Sequence, residues 1–107
     1  TKTGVDMKTA ASTTLYTVPV GKVLYLAAIA VRDPSASMAG GTSYSFTNFR
    51  QTVDLSSLTT LGTDYIVLDG NNAKYAETAA AIAVQITVTT GSTAACTATI
   101  DVFGYLV

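Results

Sequence analysis

The sequence predicts an all-β protein, a single antiparallel β-sandwich or jelly-roll-like domain of seven to eight strands over residues 1–107. Three observations favour this class. Apolar residues alternate with polar or small ones in several segments, which is the period of a strand with one buried face. Turn-forming residues separate these segments at intervals of about ten residues, and no segment has a convincing helical period. A chain of 107 residues is also the usual size of one domain.

The clearest strand covers residues 80–90. Its core-facing positions are Ile82, Val84, Ile86 and Val88. A turn around Gly91 precedes a second long alternating run, which reaches Leu106. Two alternating runs joined by a short glycine-containing turn are typical of an antiparallel hairpin, so we predict that these two strands pair with each other.

Upstream, residues 13–18 are predicted as a short strand that ends at Pro19 and Gly21, a proline–glycine turn signal. Residues 22–32 are apolar at nearly every position, which predicts a strand covered on both faces. Residues 33–41 are predicted to be a loop.

The middle of the chain has further extended segments and turns. The predictions are a strand over 43–48, a short strand or bend over 51–55, an irregular stretch over 56–63, a strand over 65–68, a turn over 69–72 and a returning strand over 74–78. Residues 1–11 are polar and lack a clear period, so they are predicted to form a polar N-terminal arm.

The residue types that carry most chemistry are scarce. Histidine is absent, and Cys96 is the single cysteine, so a cysteine nucleophile would lack its usual base and a metal site would be limited to oxygen ligands. The carboxylates considered for an acid–base pair are Asp33, Asp54, Asp64, Asp69, Glu77 and Asp101. Most lie at turns, where aspartate bonds to the backbone. We therefore expect no enzyme and no catalytic, cofactor or metal site.

Asp101 is the exception among these carboxylates, because it lies in the middle of a predicted strand. A charge at such a position needs a partner, and the sequence offers Arg32 or Lys22 on a neighbouring strand.

The charged and apolar content of the chain also indicates which binding partners to expect. The six basic residues are scattered, which argues against the concentrated positive field that nucleic-acid binding requires. No run approaches the 18 apolar residues of a membrane span, so no membrane partner is expected.

Charged residues are 12% and hydrophobic residues 49% of the chain, and its last five residues are mostly apolar. Average domains are about 25% charged, so part of this surface is expected to be covered by protein in a homo-oligomer.

A carbohydrate-binding module is an alternative, since tyrosine and phenylalanine side chains can form a sugar-binding platform. The aromatic residues are Tyr16, Tyr25, Tyr44, Phe46, Phe49, Tyr65, Tyr75, Phe103 and Tyr105. Tryptophan, which such sites commonly use, is absent. Packing in the core or at an interface is the competing interpretation.

Two segments carry a family resemblance. Residues 15–22, followed by an apolar strand that ends in Val31 and Arg32, and residues 98–106 at the other end resemble small β-sandwich structural proteins of tailed bacteriophages. That loose group includes head-decoration, cement and tail-associated proteins. The resemblance covers about half of the chain and leaves residues 33–77 unmatched.

The resemblance implies a non-enzymatic virion component that is assembled in the host cytoplasm. It implies a homo-oligomer, with a trimer favoured, whose partner is the major capsid protein or another virion protein. The leading interpretation is a capsid cement or decoration protein that bridges capsomers, with residues 1–11 and nearby loops facing the capsid. A tail-fibre or receptor-binding module, with loops 33–41 and 56–63 as its binding surface, is the alternative within the same group.

Overall fold

The computed structural model describes residues 1–46, 66–74 and 82–107. These residues form seven β-strands and no helix: β1 (Lys2–Asp6), β2 (Ala11–Val18), β3 (Leu24–Arg32), β4 (Ser43–Phe46), β5 (Ile66–Lys74), β6 (Ile82–Thr90) and β7 (Thr97–Leu106). They make a four-stranded sheet in the order β1-β7-β3-β5 and a three-stranded sheet in the order β2-β6-β4. Every pairing is antiparallel, which confirms the all-β, antiparallel prediction.

Both sheets contribute to one apolar core. Its buried members are Val5, Met7, Leu26, Ile29, Val31, Met38, Ile86, Cys96, Ala98 and Ile100. Val84, Ile86 and Val88 are all buried, so the period-two alternation identified the inner face of β6 correctly. Ala98 and Ile100 are also buried, so the alternation identified the inner face of the first half of β7 correctly as well.

The predicted hairpin between the last two long strands is wrong. β6 pairs with β2 and β4, whereas β7 pairs with β1 and β3 in the other sheet. The segment between them crosses from one sheet to the other and is tied to neighbouring loops: the Ser92 amide donates to the Met7 carbonyl at 3.1 Å, and the Thr93 amide donates to the Ala39 carbonyl at 3.0 Å. The alternation of apolar and polar residues reveals which face of a strand is buried. The same alternation is expected whether the strand pairs with the next strand in the chain or with a strand that is distant in the sequence.

The prediction of a polar N-terminal arm is also corrected. Lys2–Asp6 forms β1, an edge strand that pairs with β7, and both Val5 and Met7 are fully buried. The alternation is broken because the register shifts between Lys2 and Val5, where Gly4 has a φ of 66°. A glycine with positive φ and a register shift are the marks of a β-bulge, which hides a strand from a period-two pattern.

The turn predicted at residues 69–72 does not end its strand. β5 runs through it, but the register on β3 moves from Leu26 opposite Ala73 to Ala28 opposite Asp69. Residues 70–72 therefore lie opposite Ala27 alone, as a bulge in a continuing strand. The turn-forming residue types mark an interruption of the ladder, and the pairing on both sides of it keeps the chain extended.

The remaining predictions differ in their outcomes. The strand expected at 13–18 is confirmed and begins earlier, at Ala11. The strand expected at 22–32 is confirmed as β3, although Ala27 on it is exposed and its outer face is therefore incompletely covered. Residues 33–41 form the predicted loop. The segments predicted at 51–55 and 56–63, with nearly all of 74–78, fall outside the described residues.

Candidate interaction surface

The charged residue that the sequence singled out has the partner it required. Arg32, the last residue of β3, donates from Nε to Asp101 Oδ2 on β7 at 2.7 Å. In the register of the two strands Asp101 lies opposite Ala30, so Arg32 is its diagonal neighbour. The Thr1 hydroxyl donates to the other carboxylate oxygen at 2.6 Å. Both oxygens of this strand carboxylate are thus occupied.

A second carboxylate binds to the same guanidinium. Arg32 Nη1 donates to Asp33 Oδ2 at 2.7 Å, and the Asp33 side chain is 73% exposed. The two carboxylates raise the pKa of Arg32, chiefly through the Asp101 hydrogen bond. The hydrogen bond from Arg32, followed by that from Thr1, holds the pKa of Asp101 below its ordinary value. The lowered pKa favours the ionised form of Asp101, the opposite of what a general acid needs.

The positions of the other candidate carboxylates are described only in part. Asp69 lies on β5, and Asp54, Asp64 and Glu77 are outside the described residues. No group of three potential metal ligands occurs among residues 1–46, 66–74 and 82–107. The arrangement of Arg32 between Asp33 and Asp101 is that of a structural ion cluster that joins β3 to β7.

Two aromatic residues of the predicted set meet on the outer face of the four-stranded sheet. Tyr25 on β3 and Tyr105 on β7 are direct cross-strand neighbours, with ring centroids 5.2 Å apart and planes 12° from parallel. One face of each ring is therefore covered by the other ring. A flat platform of exposed ring faces is not formed by this pair, which weakens the carbohydrate alternative.

The last part of β7 carries an exposed apolar surface, which we call the β7 patch. Its members are Phe103, Tyr105, Leu106 and Val107, each between 42% and 64% exposed. Leu106 is exposed although it lies on the same face of β7 as the buried Ile100, so the burial of this face ends before the strand does. Four large apolar residues in one stretch are an unusual surface for a soluble domain.

An apolar groove lies beside the β7 patch and has a volume of about 270 Å³. Its walls come from both sheets, and its lining residues are Thr1, Leu15, Tyr16, Leu24, Val102, Gly104, Tyr105 and Leu106. β1 pairs with β7 from Thr97 to Ile100, and no described strand continues along β7 beyond that point.

Sequence reasoning marked the apolar end of the chain as a surface that needs cover, and it missed the groove. The groove is lined by residues of β2, β3 and β7, which are distant in the sequence and meet only in the folded chain. No protein-family model, curated protein or solved structure matches this chain. Within the part of the chain that the structure describes, no helix has the length and apolarity to cross a membrane.

Proposed function

We propose that this chain is a non-enzymatic structural protein of a bacteriophage virion, most specifically a capsid cement or decoration protein that acts as a homo-oligomer. The β7 patch is the observation that carries the proposal. A domain with 12% charged residues that exposes four large apolar residues along the end of one strand is suited to a permanent assembly. The resemblance of residues 15–22 and 98–106 to phage structural proteins indicates which kind of assembly.

We further infer that the two sheets form a β-sandwich of the jelly-roll type. The pairings β1–β7, β2–β6 and β3–β5 are nested around β4, as in a long hairpin that has been rolled up. Successive described strands also alternate between the sheets. Sandwiches of this kind are common in virus shells, but one fold serves many roles, so the fold supports the proposal without carrying it.

The surface proposed to face the capsid is the end of the domain formed by loops 7–10, 38–41 and 91–95. These loops are tied together, because Ser92 donates to the Met7 carbonyl and Thr93 to the Ala39 carbonyl. Within loop 7–10, the Lys8 and Thr9 amides donate to Asp6 Oδ1 at 2.8 and 3.1 Å. The tip of this turn is held in place and exposes Lys8, Thr9 and Ala10. Such a tip is suited to a weak contact that is repeated over the shell, because many copies together bind with avidity.

The test is co-sedimentation of the purified protein with expanded, undecorated heads of the phage that encodes it. We expect saturable binding, weakened about fivefold or more by Lys8→Glu through the rim charge. Lys22→Glu makes the same charge change in the 19–22 turn and is the matched control, expected to bind as the unmodified protein does. Absence of binding to heads, or glycan binding in its place, would refute the cement role.

A further inference from the structure

We propose that Tyr25 and Tyr105 form a site of oxidative cross-linking, at which a one-electron oxidant of the peroxidase class joins the two rings as dityrosine within one chain. The link ties β7 to its neighbour β3 in the four-stranded sheet. It concerns the free chain, before any assembly covers the β7 patch, and its failure leaves the proposed function untouched.

The backbone beneath the two rings holds them side by side. Tyr25 and Tyr105 are direct cross-strand partners, with ring centroids 5.2 Å apart and planes 12° from parallel. Val23 and Val107, two residues away on each segment, exchange two backbone hydrogen bonds at 2.9 and 3.0 Å. Pairs two residues apart on an antiparallel ladder are of the same kind, so the two tyrosines also form a hydrogen-bonded pair, with Cα atoms about 5.5 Å apart. The rings therefore keep nearly the separation of their backbones, and corresponding ring edges lie next to each other.

The pair is accessible to an oxidant in solution. Tyr105 is 55% exposed, and Tyr25 is half-buried beside it. A radical formed on the exposed ring has a second phenol in ring contact with it, which gives coupling within the chain a high effective concentration.

The side chains that compete for an oxidant are absent or buried. The chain contains no tryptophan and no histidine. Its two methionines, Met7 and Met38, are fully buried, and its single cysteine, Cys96, is 3% exposed. Oxidation of a sulfur side chain depends on its access to solvent. Oxidation is therefore directed to tyrosine, and Tyr105 is the most exposed tyrosine among the residues that the structure describes.

The coupling removes two electrons and two protons from the pair. Each phenol loses one electron to the oxidant and its hydroxyl proton to water. Rotation about χ2, a torsion with a broad range, brings the ring edges together, and the two radicals form a C–C bond between Cε atoms ortho to the hydroxyls. The hydrogen on each joined Cε then moves to the oxygen of its own ring, which restores two phenols. One hydrogen peroxide accepts the electrons and protons through the peroxidase and becomes two molecules of water.

The link connects distant parts of the sequence. It joins residue 25 to residue 105, so these two strands stay together even in the unfolded chain. A covalent link of this kind stabilises a protein chiefly by restricting the unfolded state, as a disulfide does. A chain with one cysteine has no disulfide within itself, whereas this tyrosine pair offers a covalent link of long reach.

The first test treats the purified protein with a haem peroxidase and hydrogen peroxide. We expect dityrosine fluorescence in a product that runs as a monomer in denaturing electrophoresis, at a yield per chain that does not fall on dilution. The product should have lost two hydrogen atoms, and trypsin should release one linked species made of residues 23–32 and 75–107. Coupling that falls on dilution, or that occurs only between chains, would overturn the inference.

The second test removes single hydroxyl groups. Tyr25→Phe and Tyr105→Phe each keep the ring and remove the phenol, so each should lower the yield of coupled monomer about tenfold or more. Tyr16→Phe is the matched control, because Tyr16 lies on β2 and lines the groove beside Tyr105, and it should leave the yield unchanged. Tyr75→Phe removes the other tyrosine of the 75–107 peptide and should leave the linked species in place. A yield that depends on Tyr16 or Tyr75 instead would refute the assignment.

The third test measures thermal unfolding of the coupled monomer. Its midpoint should rise by about 10 °C or more relative to the untreated protein, because the unfolded chain is cross-linked. The Tyr25→Phe variant, treated in the same way, is the control for other oxidation and should show no rise. A coupled monomer whose midpoint is unchanged would contradict the inferred link between β3 and β7.

Discussion

Arg32 Nε lies 2.7 Å from Asp101 Oδ2, across the boundary between β3 and β7. This pair joins the two central strands of the four-stranded sheet on its outer face, and the Thr1 hydroxyl completes the coordination of the carboxylate. The ion cluster and the β7 patch therefore occupy successive parts of one strand. Polar partners fix the middle of β7, and its last part carries the exposed apolar side chains of the β7 patch.

The first prediction concerns acid stability. The pKa of Asp101 is lowered in the folded protein, mainly by Arg32, and that of Asp6 is lowered by the Thr9 side chain and the Lys8 and Thr9 amides. A depressed carboxyl pKa stabilises the fold above the unfolded value of about 3.9, and this contribution disappears as pH falls through the folded value. We expect the midpoint of thermal unfolding to fall as pH is lowered from 5 to 2.

Asp101→Asn should flatten this pH dependence without abolishing it, because Asp6 still contributes. Asp33→Asn removes an exposed partner of the same arginine and is the matched control, expected to leave the profile close to that of the unmodified protein. A profile unchanged by Asp101→Asn would contradict the assignment.

The second prediction concerns the crossing between the sheets. A Cβ atom on Gly91 would collide with the backbone carbonyl oxygens of Met7 and Lys8, which cannot move without shifting the loops. Gly91→Ala should therefore lower the free energy of unfolding by about 1–3 kcal/mol in denaturant titrations.

Gly21→Ala is the control for that substitution. Gly21 has open space around its Cα but a φ of 77°, so it should cost only the backbone strain of about 1 kcal/mol. Equal effects of the two substitutions would argue against a tight crossing at Gly91.

The third prediction concerns the loop that follows β3. Met38 is fully buried in the core, although the residues around it form a loop. Met38→Ala should lower the free energy of unfolding by about 2–5 kcal/mol through lost burial and a cavity. Met38→Leu keeps most of the volume and should cost less than about 1.5 kcal/mol. A small effect of the alanine substitution would place Met38 outside the core.

The fourth prediction concerns the single cysteine. Cys96 is 3% exposed, and its thiol donates to the Ala36 carbonyl at 3.2 Å. Alkylation by iodoacetamide should therefore occur only as the protein unfolds, with a rate that rises together with denaturant. In a Cys96→Ala background, Ala95→Cys provides an exposed thiol that should react in the native protein. Rapid modification of native Cys96 would contradict its burial.

Much of the fold could be predicted because apolar residues alternate with polar or small ones along the strands, which identifies the buried face of each strand. Residue types and spacing predict the inner face of β6 and of the first half of β7, the strands around Val18 and Leu26, and the need of Asp101 for a basic partner, with Arg32 and Lys22 as the two candidates. The predictions of a polar arm over residues 1–11 and of a turn at 69–72 failed because a bulge breaks that alternation in β1 and in β5. Met38 was missed because one buried residue in a loop has no period.

The sequence by itself determined that this chain is built from antiparallel strands, which faces of several strands are buried, and that a mid-strand carboxylate needs a basic partner. Those are local properties, fixed by alternation and charge. Only the tertiary structure decided that β6 and β7 lie in different sheets, and that β1 pairs with β7 over Thr97–Ile100. The reason is physical: a strand's own residues specify its faces, whereas its edges are satisfied by whichever strand lies beside it.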